Sequence, residues 1–126
     1  MDRSQIEQVL INLLKNAQEA VEIRMKEEAA GLSDEAEPAQ SQASYVRLTT
    51  HLSSNKRDFI ISITDNGKGI LPEVMERIFV PFFTTKTSGS GIGLSICKQI
   101  VTLHGGTITA SSKPGDKTIF SVVLPA

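Results

Sequence analysis

The chain has 126 residues, the size of one ordinary domain, and its 40% hydrophobic and 21% charged residues are typical of a folded globular protein rather than a disordered one. Thirteen basic and fourteen acidic side chains give a formal charge of −1, which argues against nucleic acid as a partner. A single cysteine and two histidines exclude an intrachain disulfide and a Cys/His zinc cluster, and no apolar run is long enough to cross a membrane, so we expect a single domain over residues 1–126 in the cytoplasm.

The first predicted element is a helix from Ser4 to about Glu28. Apolar residues recur along it at steps of three and four, and Ser4 and Glu7 have the spacing of a capping box. Asn12 and Asn16 lie one turn apart on the opposite, polar face. Because asparagine is unfavourable in mid-helix, the pair belongs either to a solvated surface or to a binding site.

Residues 29–44 have no apolar period and are rich in small and polar residues, which predicts a flexible loop insertion. Two strands follow, over Val46–Leu52 and Phe59–Asp65. The alternation of the second strand places Asp65 on its apolar face. A carboxylate at the end of an apolar row requires a partner or a ligand.

The next segment begins with the stretch Asp65-Asn66-Gly67-Lys68-Gly69, whose Asn-Gly pair is typical of a hairpin turn. No strand follows it, since Pro72 is suited to the first turn of a helix, which we predict to reach Phe79. The two glycines therefore serve either a plain turn or the close approach of the backbone to a ligand.

The residues from Phe79 to Gly93 begin with three phenylalanines and continue with Gly, Ser and Thr. They form either a mobile flap with aromatic anchors or an ordinary loop. The segment ends in Gly89-Ser90-Gly91-Ile92-Gly93 at the start of a helix, where free N–H groups and the helix dipole favour a phosphate. Lys86 could add a cation there. The pattern is neither a Walker A loop nor a Rossmann fingerprint.

The last elements are a helix over Gly93–Leu103, stopped by His104-Gly105-Gly106, and two strands over Thr107–Ser112 and Thr118–Leu124. Strand pairs with short turns, interleaved with helices, predict an α/β (α+β) two-layer sandwich in which the helices pack on one face of a mixed, mainly antiparallel sheet.

Four stretches matter together, in this order and spacing: residues 8–17 with Asn12 and Asn16, residues 65–70, residues 79–86 and residues 89–94. With these stretches the chain resembles the ATP-binding catalytic domain of two-component sensor histidine kinases, which has the Bergerat fold shared with gyrase, mismatch-repair ATPases and the large heat-shock chaperone. The resemblance covers nearly the whole chain apart from residues 29–44.

The resemblance implies that ATP and Mg²⁺ are the ligands. It implies that Asn16 binds magnesium, that Asp65 reads adenine and that the glycine-rich segment covers the triphosphate. The implied catalytic residues are Asn12, Asn16 and Lys86. The implied cofactor-binding residues are Asn16, Asp65, Gly67, Gly69, Ile70, Phe79, Phe82, Phe83, Lys86, Gly89, Gly91, Ile92, Gly93 and Leu94.

Asn12 separates phosphotransfer from hydrolysis. In the ATP-hydrolysing branches of the superfamily this position is a glutamate that acts as general base, and an amide cannot take a proton at neutral pH. The expected reaction is transfer of the γ-phosphoryl group to a histidine. The alternatives are an ATP hydrolase of the same superfamily and a nucleotide-dependent binding module without catalysis.

Neither His51, in a strand, nor His104, at a helix end, is a plausible phosphoacceptor. We therefore expect a monomeric fragment of a longer, homodimeric kinase, with the acceptor histidine on a dimerisation domain of the same parent protein and a response regulator as the downstream partner. Whether the parent is anchored in a membrane is left open.

Overall fold

The computed structural model describes residues 2–29, 43–67, 69–81, 93–112 and 117–126. Its elements in chain order are α1 (Arg3–Ala29), β1 (Val46–Leu52), β2 (Asp58–Asp65), α2 (Pro72–Met75), α3 (Gly93–Leu103), β3 (Thr107–Ser112) and β4 (Thr118–Pro125). The predicted loop insertion lies almost entirely outside these ranges. In the described part, no helix has the length and apolar character needed to span a bilayer.

The four strands form one sheet in the order β1-β2-β4-β3. Every pairing is antiparallel. Short connections join β1 to β2 and β3 to β4, and such connections permit only antiparallel neighbours. The predicted two-layer α+β architecture is confirmed, and no parallel pair of a mixed sheet occurs among these four strands.

The core lies between one face of this sheet and the two long helices. Helix α1 contributes one row of residues four positions apart, and α3 contributes the residues that face it. The fully or nearly buried apolar residues of this core are Val9, Leu13, Ala17, Ile61, Ile63, Ile78, Cys97, Ile100, Val101, Ile108, Phe120, Val122 and Leu124.

Strand β1 differs from its neighbours because it is exposed at every residue. Its alternation places Leu48 and Leu52 opposite Ile63 and Phe59 of β2, on the helix side of the sheet, yet they remain 44% and 49% exposed. The strand lies at the edge of the sheet, beyond the area that the helices cover.

The helix ends differ from the sequence prediction at two places. Helix α1 begins one residue before Ser4, and its cap is Asp2, whose Oδ1 accepts the N–H of Gln5 at 3.2 Å. Glu7 does not complete a capping box with Ser4 but pairs with Arg3 at 2.9 Å. The predicted capping box is therefore wrong.

The short helix α2 ends at Met75 instead of continuing to Phe79. Beyond it the backbone turns through tighter bonds, from Arg77 N–H to Val74 O and from Val80 N–H to Arg77 O, both at 2.9 Å. Pro81 explains the stop, since a proline disfavours the α conformation of the residue before it.

The end of α3 follows the prediction. Gly105 has φ +76°, its N–H bonds Thr102 O at 3.0 Å, and the N–H of Gly106 bonds Val101 O at 2.9 Å. These are the two bonds of a Schellman motif.

Candidate functional site

Asp65 is the last residue of β2 and is only 2% exposed. Its Oδ1 accepts the N–H of Gly67 at 2.9 Å. Burial raises the pKa of this carboxyl above its ordinary value, and the bond from Gly67 offsets part of that effect. The parity argument placed this carboxylate correctly, at the end of the buried row that contains Ile61 and Ile63.

Two hydroxyl residues continue the polar end of the sheet beside Asp65. Thr118, which is 3% exposed, pairs with Asp65 across β2 and β4, and Ser112 pairs with Thr118 across β4 and β3. Ser112 Oγ lies 2.7 Å from Thr118 Oγ1 and accepts the N–H of Ile70 at 2.9 Å. The sequence analysis did not single out either residue. The parity of β4 could have found Thr118, because it shares a face with Phe120.

The turn after β2 packs directly on α1. A Cβ on Gly67 would lie 2.8 Å from the carbonyl carbon and the Cβ of Ala20, closer than real Cβ contacts. Gly67 is therefore required by helix packing. Gly69 has φ +79°, a conformation that favours glycine, and Ile70 next to it packs on the core.

Asn66, between these residues, was also missed. It is 5% exposed, and its side chain bonds the backbone of two residues just before β1, Ala43 and Tyr45. Its own carbonyl accepts Arg24 Nη1 of α1.

Asn12 and Asn16 lie on the predicted face of α1. Asn12 Nδ2 donates to Gln8 O at 3.1 Å, and a Cβ on Gly93 would lie 3.6 Å from Asn12 Oδ1. One turn beyond Asn16 on the same face is Ala20, which contacts the Gly67 turn. Asn16, partly buried, is therefore placed between the start of α3 and the turn that follows Asp65.

Phe79 and Leu94 are packing residues in this structure. The ring of Phe79 meets Phe120 edge-on, with centroids 6.5 Å apart, and Lys98 Nζ lies 5.6 Å from its centroid. Leu94, in the first turn of α3, packs against the core. The remaining predicted site residues, Phe82, Phe83, Lys86, Gly89, Gly91 and Ile92, lie outside the described residues.

The sequence-predicted residues that the structure brings together are thus those at the end of β2 and on one face of α1. Within the described ranges, no group of three or more His, Cys, Asp or Glu side chains could hold a metal ion. A cation at this site would have to share its coordination with a ligand.

The fold and this site are those of a known family. The family model for histidine kinase-, DNA gyrase B- and HSP90-like ATPases matches residues 1–126. The chain belongs to this family, and among its members it corresponds to the catalytic domain of sensor histidine kinases.

Similar proteins support this assignment. The chain is 37% identical over 124 residues to the signal transduction histidine-protein kinase AtoS of Escherichia coli (98% of the chain, 17% of the relative), and 36% identical over 126 residues to the sensor protein FixL of Bradyrhizobium diazoefficiens (99% and 21%). It therefore spans about a fifth of the length of these relatives.

Two solved structures give the same answer. The catalytic domain of histidine kinase ThkA has a TM-score of 0.73 at 33% identity, with 99% of this chain and 68% of that chain covered. The mycobacterial sensor histidine kinase MprB has a TM-score of 0.73 at 26% identity, with 99% and 72% covered.

Proposed function

We propose that the chain binds ATP with Mg²⁺ between α1 and the end of β2, and that it presents the γ-phosphoryl group to a histidine on a separate domain. The observation that carries this proposal is the buried carboxylate of Asp65. A carboxylate ending an apolar row beside hydroxyl groups is an acceptor that water reaches poorly, which suits the exocyclic amine of adenine.

The Asp65 turn supports base recognition by its rigidity. Gly67 holds one carboxylate oxygen through its N–H and is itself packed against Ala20, so the carboxylate direction is fixed before a nucleotide arrives. Thr118 and Ser112 provide hydroxyl groups at the same end of the sheet.

Asn16 fits a magnesium ligand in a site that the nucleotide completes. Its side-chain oxygen is a hard donor, and Mg²⁺ commonly takes one or two protein ligands, with phosphates and water as the others. When bound, the ion neutralises charge on the phosphates, and Asn16 on α1 would hold it facing the start of α3. We assign Phe82, Phe83, Lys86, Gly89, Gly91 and Ile92, with Phe79, Gly93 and Leu94, to the cover of the triphosphate on the resemblance alone.

Phosphoryl transfer is favoured over hydrolysis because of Asn12. Its amide donates to Gln8 O and has no basic site at neutral pH, so it cannot activate a water molecule. The chain would act by positioning and electrostatic stabilisation, and the nucleophile would come from elsewhere.

The partners of the whole protein are part of the same proposal. They are a histidine-bearing dimerisation domain of the parent protein and a downstream response regulator, with the domain acting in the cytoplasm. The 126-residue chain alone should be a monomer in sedimentation, because the dimer contact of these kinases lies in the helical domain.

Titration of the chain with Mg-ATP tests the base-recognition step. Replacement of Asp65 by asparagine should lower the affinity about 10- to 100-fold, because a hydrogen bond to a charged group contributes roughly 1.5–3 kcal/mol. Asp58→Asn is the matched control, since it makes the same chemical change at the other end of β2. Equal affinities of the folded D65N and D58N variants would contradict the assignment.

A further inference from the structure

Asn66 uses all of its polar groups to fasten the turn after β2. Its Oδ1 accepts the N–H of Tyr45 at 2.8 Å, and its Nδ2 donates to Ala43 O at 2.9 Å. Its backbone N–H points to Tyr45 O at 3.4 Å, and its carbonyl accepts Arg24 Nη1. The residue is 5% exposed, so water does not compete effectively for these bonds.

These contacts extend the pairing of two strands beyond its last regular pair. The register of β1 and β2 ends at Val46 opposite Asp65. One residue further on, the Asn66 side chain takes the place of a peptide group, since an amide carries one acceptor and donors at the same spacing as the backbone. Aspartate has the same shape but no N–H to donate to Ala43.

The turn is thereby held from two sides. Asn66 fixes it to the start of β1 and to Arg24 of α1, and Gly67 packs on Ala20 of the same helix. The Gly67 N–H that holds the Asp65 carboxylate belongs to this turn, so its direction depends on how residue 66 is anchored.

We propose that Asn66 is a positioning residue for nucleotide recognition, which it serves by orienting the Asp65 carboxylate and not by touching the nucleotide. This inference rests on the proposed function. It predicts that the two residues act as one unit, so that removal of Asn66 matters only while Asp65 can read the base.

A double-mutant cycle tests the inference. Mg-ATP is titrated by calorimetry into the 126-residue wild type, Asn66→Ala, Asp65→Asn and the double variant, after folding is checked by circular dichroism. We expect N66A to weaken binding about tenfold in the wild-type background and less than twofold in the D65N background, a coupling of the size found for contacting residues. Leu124→Val, a core change at the other end of β4, controls for a general loss of stability and should leave the affinity unchanged.

The outcomes separate this inference from the proposed function. If the wild type does not bind Mg-ATP, or if D65N binds it equally well, the proposed function fails. If D65N is weakened but N66A binds like the wild type, or if the two losses add in full, Asn66 does not act through Asp65 and the inference is overturned. Should N66A fail to fold, Asn66→Asp replaces it in the same cycle, because it keeps the side-chain shape and loses the donor to Ala43.

Discussion

The carboxylate of Asp65 is placed for binding at a cost to the unliganded fold. Burial raises its pKa above 3.8, so the folded chain holds this proton more tightly than the unfolded chain does. Between the unfolded value and the raised folded value, stability therefore falls as pH increases, and above that window the charged group destabilises the fold by a constant amount.

We therefore expect Asp65→Asn to increase the free energy of unfolding at pH 7 while it weakens ATP binding. Asparagine keeps an acceptor for the Gly67 N–H and carries no charge. Urea denaturation between pH 4 and pH 8 measures the difference from wild type, which should shrink as pH decreases toward 3.8. A D65N variant less stable than wild type at pH 7 would contradict this account.

Cys97 is the only cysteine of the chain and should be chemically inert in the folded state. It is 0% exposed between α3 and α1, where its thiol donates to Val9 O at 3.8 Å, and desolvation by burial raises its pKa from 9.0 to about 11. Both its access to reagents and its thiolate fraction are thereby reduced, the latter roughly a hundredfold at pH 8.

Labelling with a thiol-specific reagent at pH 8 should accordingly follow unfolding rather than native-state collision. The expected result is a rate at least about a hundredfold lower in buffer than in concentrated urea, because only the thiolate reacts. Fast labelling of the native chain would show that α3 opens locally near Cys97.

At the scale of single elements, Asp2 joins two helix ends. Its carboxylate caps α1 by accepting the N–H of Gln5, and its own N–H donates to Nε2 of His104, just beyond α3. The other ring nitrogen of His104 lies 2.8 Å from Ile100 O, so this His is best described as the neutral form with Nδ1 protonated. The capping contribution belongs to Asp2 and not to Ser4.

The two caps can be separated by substitution. Asp2→Ala should lower the free energy of unfolding by about 0.5–2 kcal/mol, the usual cost of losing an N-cap, whereas Ser4→Ala should change it by less than about 0.5 kcal/mol. Urea denaturation of both variants provides the comparison. A larger loss in S4A than in D2A would restore the capping box that the sequence predicts.

The elements that the sequence predicts best are those with a clear hydrophobic period. The alternation in β2 and the three- and four-residue steps in α1 place the buried residues correctly, including the carboxylate of Asp65. The alternation in β1 does not predict burial, because Leu48 is kept exposed by its position at the sheet edge and not by its own strand. Burial at an edge depends on which neighbours cover it, and periodicity does not contain that information.

At the scale of the whole molecule, the site is assembled from segments that are far apart in the chain. Periodicity and motif spacing identify Asn16 and Asp65, but the contact of Gly67 with Ala20 and the anchoring of Asn66 by Tyr45 arise only when α1 is laid on the sheet. The reason for glycine at position 67 is therefore helix packing in the structure, while the sequence alone left a plain turn or a close ligand approach.

The final prediction concerns the reaction of the whole domain. We expect the chain to bind ATP, to hydrolyse it slowly and not to phosphorylate itself. Asn12 cannot serve as a base, so water attack lacks a contribution of about 10²–10⁴-fold. His51 lies in the exposed edge strand, and both ring nitrogens of His104 are engaged with backbone groups.

Incubation with γ-labelled ATP, alone and with the separately expressed helical domain of the parent protein, measures this. Acid-labile label should appear only on the added domain, and it should be reduced with the D65N variant but not with D58N, because only D65N impairs nucleotide binding. Rapid release of inorganic phosphate, or stable label on the chain itself, would contradict phosphotransfer to a separate domain. The first outcome would favour the hydrolase, which Asn12 disfavours because its amide cannot take the proton of an attacking water molecule.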